Sequence, residues 1–420
     1  MRTLRVHLGG KLVGHLVESR KGARFAYVPE VVESRMGKPL LSLCMPVKKK
    51  PFGEEKTRNW FEGLLPEGDR RARICREFGV AEADWLGLLA QIGWECAGAV
   101  QVFPEGAAPV EAAGYEPLRQ ADLAKKLVQV SAQNFDVAGV PFRMSLGGFQ
   151  DKLCAAMPCI DEAAPDVAAK GVKVPCGTAP STHILKPEPS AYPGLAESEA
   201  WAMTVAAATA RCAKVALLNV EGAPETLVVE RYDRQRAADG AIVRLHQEDA
   251  CQALALPPSR KYASSPVGKG DDPTYRAIAD LLLRFNPNPQ CELQELLRQL
   301  TVNFVLGNWD AHAKNTSLLY REPRAPELAP LYDVVPICDA EPRTTLISMR
   351  VAGSLDPESV SRKAILVEAA SWGLDAAKAA EQLDTCLEDL QEGLKAAAKR
   401  YPNAATKHQQ GAMKRLGLLM

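Results

Sequence analysis

Apolar and polar residues alternate at the start of the chain. Leu4, Val6 and Leu8 share one face, Gly9-Gly10 interrupts, and Leu12 to Val17 resumes the alternation. A period of two around a glycine turn predicts a strand pair. The apolar run Leu40 to Cys44 predicts another short strand, stopped by Met45-Pro46. The period then lengthens. Trp60-Phe61-Glu62-Gly63-Leu64-Leu65-Pro66-Glu67-Gly68 leads into helical sequence through Phe78, and a second helix is predicted near Asp84 to Ile92. Gly98 to Phe103 reads as a closing strand. Pro104 to Gly114, rich in Pro, Gly, Ala and Glu, reads as a linker.

From residue 115 to about 237 strands and helices mix. Strands are predicted at Phe142–Leu146, Lys152–Met157, His183–Lys186, Ala216–Val220 and Thr226–Arg231. A helix from about Glu197 to Cys212 carries Trp201, Val205 and Ala208 at helical spacing. Asp161–Thr182, with many Pro, Gly and Ala residues, reads as a loop. Beyond Val243 the pattern is mostly helical. Its clearest helix runs from about Glu292 to Leu306, with Leu293, Leu296, Leu297, Leu300 and Phe304 as the apolar stripe and Gly307 as the stop. Ala369 to Lys399 reads as one further helix, and there are no internal repeats.

Composition narrows the class. The chain has 420 residues, 47% hydrophobic and 24% charged, with 51 basic against 51 acidic side chains. These values fit a globular protein of two to four domains. Zero net charge argues against a protein whose first task is gripping nucleic acid. No uncharged run has the length of a membrane span, and the first residues lack a signal peptide's apolar core, so a cytoplasmic location is expected. The 11 cysteines are scattered and form no CxxC pair. Cys154 and Cys159, in an apolar stretch, read as buried thiols. Charge is uneven: residues 1–76 hold 17 Lys/Arg and 8 Asp/Glu, and residues 395–420 hold six basic groups and no acidic one. That surplus fits either a solvated face or steering towards an acidic partner or a nucleoprotein complex.

The chemistry concentrates after the Gly307 stop, in Asn308-Trp-Asp310-Ala-His312-Ala-Lys314-Asn315. Asp310 and Asn315 have the D-x-x-x-x-N spacing of a kinase catalytic loop, where Asp accepts the acceptor hydroxyl's proton and Asn holds magnesium. Eighteen residues after Asn315 comes Asp333, placed like a second metal carboxylate. Alone it could equally be a turn residue. Upstream, Lys186 ends an apolar strand, and Glu199 follows thirteen residues later in the first turn of the next helix. A lysine that grips phosphate and a glutamate that holds it form a kinase's nucleotide clamp. A solvated lysine and an acidic helix start do not by themselves explain the order Lys, Glu, Asp-x4-Asn, Asp. Gly147-Gly148, after a strand, can bring backbone N–H groups to phosphates or simply make a turn. The six histidines lack metal-site spacing. His312 is read as orienting the catalytic loop through a hydrogen bond, and His183 and His246 as structural or pocket-lining.

Taken together these motifs resemble the HipA family of bacterial serine/threonine kinases that act as toxins of type II toxin–antitoxin modules. Ser145-Leu-Gly-Gly-Phe-Gln-Asp-Lys152 is similar to the family's S-x-x-G-x-Q-[ED]-K loop, and Thr182-His-Ile-Leu-Lys186 to its T-H-I-x-K element. Val229-Glu230-Arg231-Tyr232-Asp233-Arg234 resembles V-E-R-[FY]-D-R. Arg244-Leu-His-Gln247-Glu248-Asp249-Ala-Cys251-Gln252, followed by Lys261-Tyr262, resembles R-L-x-Q-E-D-x-x-Q. Asp310-Ala-His312-Ala-Lys314-Asn315 is close to D-G-H-A-K-N, and Phe61 to Gly68 resembles the family's accessory domain. Two departures stand out: Ala311 for glycine in the catalytic loop, and Gly147 with Phe149 in the glycine loop.

The resemblance implies an α+β, bilobal protein-kinase-like fold with a β-rich N-lobe and a mostly helical C-lobe. It implies three units: an accessory subdomain over 1–108, the N-lobe over 109–237 and the C-lobe over 238–420. ATP would be held by Gly147, Gly148, Lys152, Lys186, Glu230, Tyr232 and His312, and magnesium by Asn315 and Asp333. Asp310 would be the catalytic base, acting with Asn315 and Lys186. Ser145 would be the autophosphorylated serine that switches the kinase off, since a phosphate there puts charge where ATP phosphates dock. The implied partners are a HipB-like helix-turn-helix antitoxin, operator DNA through that antitoxin, and a protein substrate such as an aminoacyl-tRNA synthetase; no membrane is implied. A small-molecule or lipid kinase on the same fold and a non-catalytic pseudokinase are the alternatives.

Overall fold

The computed structural model describes residues 1–107, 113–132, 144–145, 152–161, 166–263, 272–321, 325–340 and 345–420. The alternating start folds as expected. Strands Thr3–Leu8, Lys11–Ser19, Gly22–Tyr27 and Val100–Pro104 form one antiparallel sheet, with Thr3–Leu8 between the second and the last of them. Leu4 pairs with Leu16, and both lie in the core with Val6 and Phe25. Helices Glu54–Glu62, Gly68–Glu77 and Trp85–Ile92 cover that face, Phe61 packing on Phe25 with ring centres 5.5 Å apart.

The strand expected at Leu40–Cys44 does not form. Its amides bond side chains instead of a ladder: Leu41 N–H donates to the Tyr27 hydroxyl at 3.2 Å, and Leu43 N–H to Glu248 Oε1 at 2.9 Å. An extended segment satisfied in this way has no reason to pair.

A second sheet runs Leu153–Ala155, His183–Pro187, Thr226–Glu230, Val215–Leu218, Asp166–Val167. All neighbours are antiparallel except the last pair. The segment expected as a loop over Asp161–Thr182 therefore contributes Asp166–Val167, and also Lys173–Cys176, which pairs with Gly114–Pro117. These short edge strands are specified by distant partners rather than by their own pattern. The thiols divide: Cys154 is half-buried, whereas Cys159, beyond the end of its strand and just after Pro158, is exposed.

The remaining chain is mostly helical. Helices Leu195–Ala206, Pro289–Leu306, Arg362–Ser371, Ala376–Arg400 and Pro402–Gly417 share one core around Trp201, Leu297, Leu387 and Tyr401. The single helix expected over Ala369 to Lys399 is split, because Gly373 takes φ +85° between two helices. Pro289–Leu306 ends as expected at Gly307, φ +70°, where a Cβ would lie 2.1 Å from Cys338 Sγ. A small sheet, His246–Asp249, Ser317–Tyr320 and Glu327–Leu328, lies within this otherwise helical part. The architecture is the α+β arrangement expected from the sequence.

Buried polar contacts tie the first hundred residues to the rest. Trp60 Nε1–H donates to Glu248 Oε2 at 2.9 Å, and Gly98 N–H to Asp233 Oδ2 at 2.7 Å. Glu95 receives Arg231, Arg234 and Arg244 at 2.9, 2.9 and 2.5 Å. Against burial, these guanidiniums hold the Glu95 carboxyl well below the usual carboxylate range. Removing one member of such a cluster typically costs about 3–5 kcal/mol, because the rest stay buried without a counter-charge.

Candidate active site

The strand His183–Pro187 lies inside the second sheet, so Lys186 enters the core as a buried cation. Its ammonium donates to Glu199 Oε1 at 2.7 Å and to Asp333 Oδ1 at 2.6 Å. Glu199 stands in the second turn of helix Leu195–Ala206 rather than the first, because that helix begins earlier than its apolar spacing indicates. Against burial, Asp333 and Glu199 hold the Lys186 pKa above its ordinary value. Burial pushes Glu199 up, whereas Lys186 and Lys152 outweigh burial at Asp333 and hold it low. Asp333 has φ +61°, a left-handed conformation that Asp tolerates better than most residues.

The Gly307 stop turns the chain into the loop bearing Asp310 and Asn315. His312 N–H donates to the Asp310 carbonyl at 2.7 Å, and Asn315 Nδ2–H to the same carbonyl at 3.2 Å. Ala311 is absent from the non-glycine residues of positive φ, so alanine carries no left-handed strain here. The Tyr262 hydroxyl donates to Asp310 Oδ1 at 2.7 Å, and its ring meets His312 edge-on with centres 5.0 Å apart. Burial raises the Asp310 pKa. Burial and Lys261 push His312 down to about 4, so its ring is neutral near pH 7. His312 holds the loop through its backbone N–H, while its buried ring Nδ1 has no hydrogen-bond partner among the described residues. His183 and His246 bond Thr182 Oγ1 and the Leu41 carbonyl, as structural histidines do.

These residues converge on one cleft of about 450 Å³, lined by Lys152, Lys186, Glu230, Tyr232, Asp310, His312, Asn315 and Asp333. Ile184 and Val229 supply apolar wall, and Lys152 and Lys186 supply the cationic end. Burial, with Arg70 and Lys186 nearby, lowers Lys152 to about 7. Glu230 Oε2 accepts from Ile160 N–H at 2.8 Å, and the Tyr232 hydroxyl donates to Gln247 Oε1. Ser145 lies in the strand Met144–Ser145, which pairs in parallel with Glu95–Cys96. Gly147, Gly148 and Phe149 lie outside the described residues.

The donor set fits magnesium-bound nucleotide. Among the described residues no group of three or more His, Cys, Asp or Glu forms a metal cage. Magnesium with phosphate needs only one or two protein carboxylates, and Asp333 with the Asn315 amide supplies that much.

Three residues at the cleft had no role in the sequence reading. Glu67 reaches in from the first hundred residues, its Oε2 accepting from Lys261 Nζ at 2.8 Å. Lys261 and Tyr262 border the loop that bears Asp310 and Asn315. Their only sequence signal is position: Glu67 sits inside the Phe61-to-Gly68 motif, and Lys261-Tyr262 follow the Arg244-to-Gln252 motif.

A strand-borne lysine bonded to a helix glutamate, facing an Asp-x4-Asn loop across a cleft, defines a protein-kinase-like fold. The profile of the HipA-like C-terminal domain matches residues 144–397, and that of the HipA N-terminal domain matches residues 4–103. The chain belongs to the HipA family. It is 37% identical over 343 residues to the putative kinase Y4mE of Sinorhizobium fredii, covering 80% of this chain and 77% of that one. It is 27% identical over 373 residues to the serine/threonine-protein kinase toxin HipA of Shewanella oneidensis, covering 85% of this chain and 80% of that one. Among solved structures it resembles the toxin–antitoxin complex of Shewanella oneidensis HipA, HipB and operator DNA. The TM-score is 0.79 at 23% identity, covering 99% of this chain and 98% of that one. Among the described residues no helix is long and apolar enough to cross a membrane.

Proposed function

We propose that this chain is an ATP- and magnesium-dependent serine/threonine protein kinase and the toxin of a type II toxin–antitoxin pair. The observation that carries this reading is the convergence of Lys186, Asp310, Asn315 and Asp333 on one cleft. Lys152 and Lys186 hold the phosphates, Glu199 keeps Lys186 in place, and Glu230 and Tyr232 border the adenine. Bound magnesium, held by Asn315 and Asp333, neutralises phosphate charge. Asp310 takes the proton of the acceptor hydroxyl as that oxygen gains the phosphoryl group and ADP leaves. Ser145 is the self-inactivating acceptor within the three-unit chain 1–108, 109–237 and 238–420. The Shewanella oneidensis complex supports a HipB-like antitoxin and operator DNA through it; a translation component such as an aminoacyl-tRNA synthetase as substrate rests on the family resemblance of the sequence motifs alone.

The test is incubation of wild-type and Asp310→Ala protein with magnesium and ATP, followed by peptide mass spectrometry. Phosphate on Ser145 in the wild type only, with nucleotide binding kept in the variant, is the expected result. General-base removal should slow transfer about 10²–10⁴-fold. Wild-type protein with unmodified Ser145 that binds nucleotide yet phosphorylates nothing, even in cell extract, overturns the reading.

A further inference from the structure

Phosphoryl transfer is accelerated mainly by positive charge fixed opposite the transferring oxygens. The cations around this cleft differ sharply in how far they are committed. Lys186 is shared between Glu199 and Asp333. Lys314 is buried and donates to the Gly63 carbonyl at 2.8 Å and to Asp249 Oδ2 at 2.9 Å, with Glu67 Oε1 a further neighbour at 3.7 Å. Arg231 is bound into the cluster with Glu95 and Asp233. Beside Asp310 in the loop, the neutral ring of His312 brings no charge.

Lys261 differs from all of these. Its side chain is 16% exposed, lines the cleft, and among the described residues pairs with one carboxylate, Glu67. Its backbone is fastened to the catalytic loop, for Ala313 N–H donates to the Lys261 carbonyl at 3.1 Å. The next residue, Tyr262, bonds Asp310 itself. The ammonium is therefore carried on a segment held in register with the candidate base, and its field acts on both Asp310 and His312.

We propose that Lys261 is a catalytic residue that contacts the γ-phosphate, and that Glu67 parks its ammonium at the rim until nucleotide enters. The inference rests on the kinase reading of the cleft. It assigns a role to the Phe61-to-Gly68 motif: its Glu67 holds a cation in reserve, whereas the loop's own Lys314 is committed to Asp249 and the Gly63 carbonyl.

The test uses the full chain in an Asp310→Ala background, where transfer is slowed about 10²–10⁴-fold and ATP outlasts a titration. Affinities for magnesium-ATP and magnesium-ADP are measured by titration calorimetry. Lys261→Gln should leave ADP affinity nearly unchanged and weaken ATP about tenfold, the worth of one charge-assisted hydrogen bond. Lys261→Arg should keep the preference for ATP. Glu67→Gln removes the tether but not the ammonium, and should hold the ATP/ADP ratio at or above its starting value. With Asp310 restored, Lys261→Gln should slow transfer about 10²-fold. An unchanged ATP/ADP ratio in Lys261→Gln overturns the proposal, as does an equal loss in Glu67→Gln, which would make the pair merely structural. If Lys261→Gln does not fold, Lys261→Met carries the same comparison. Should the wild type transfer no phosphate at all, the kinase reading falls, while the ATP/ADP ratio still reports whether Lys261 meets a γ-phosphate.

Discussion

Lys186 and Asp333, 147 residues apart in sequence, meet at 2.6 Å, and the same ammonium also holds Glu199 at 2.7 Å. One cation thus serves two acids whose fates differ. Glu199 is sealed in the core, while the Asp333 side chain is 38% exposed and borders the cleft. The sealed acid locks the lysine to the fold, and the open one is the acid to which the proposed function gives the metal ion.

Removing the lysine should expose this asymmetry. Lys186→Met leaves Glu199 buried without its cation and should destabilise the chain by about 3 kcal/mol in denaturant unfolding. Adding Glu199→Gln should recover part of that loss, because a neutral amide costs less to bury than a carboxylate. Unfolding midpoints of the single and double variants check this. An additive double variant would show that the two side chains are not coupled.

The bond from Tyr262 to Asp310 predicts a pH effect of definite sign. Burial raises the Asp310 pKa, and the tyrosine's donated hydrogen bond partly opposes that rise. In Tyr262→Phe the opposition is gone, so the pKa climbs further. As the proposed base, Asp310 accepts a proton only when ionised, so activity should fall as pH drops through its pKa. The acidic limb of the kcat/KM profile should therefore move to higher pH in the variant. An unmoved limb would show that the limb does not report Asp310.

Lys152 predicts the opposite trend for nucleotide binding. Burial, Arg70 and Lys186 bring its pKa down to about 7, so its charge is lost as pH rises through that value. Affinity for magnesium-ADP should weaken over the same range, with bound phosphate shifting the change upward. Lys152→Arg, which stays charged, should flatten the dependence. Calorimetric titrations across neutral pH would reveal a flat wild-type profile if Lys152 does not meet phosphate.

Periodicity made the outline of the fold legible. Alternation located Thr3–Leu8 and its partner, and the apolar stripe with Gly307 located Pro289–Leu306. The order Lys186, Glu199, Asp310, Asn315, Asp333 was readable because phosphate chemistry restricts which residue types follow one another. Features set by distant contacts were not readable. Leu40–Cys44 has a strand's composition but gives amides to Tyr27 and Glu248. Asp166–Val167 pairs only because Val215–Leu218 offers an edge. Glu67 carries no local mark of chemistry; its meaning comes from Lys261, which lies 194 residues away.

The bond from Lys314 to the Gly63 carbonyl spans 251 residues. It has a consequence for the order in which the chain is made. The carbonyl belongs to a unit synthesised early, with its own apolar core from Leu4 to Val102. The lysine emerges much later, beside Asn315. Domains generally fold N-terminal first during synthesis. The early unit therefore stands as a template, and the catalytic loop sets against it only when the second half of the chain has been delivered. That contact then forms late in translation, and a nascent chain stalled before residue 314 would carry a folded N-terminal unit with the Gly63 carbonyl still waiting for Lys314.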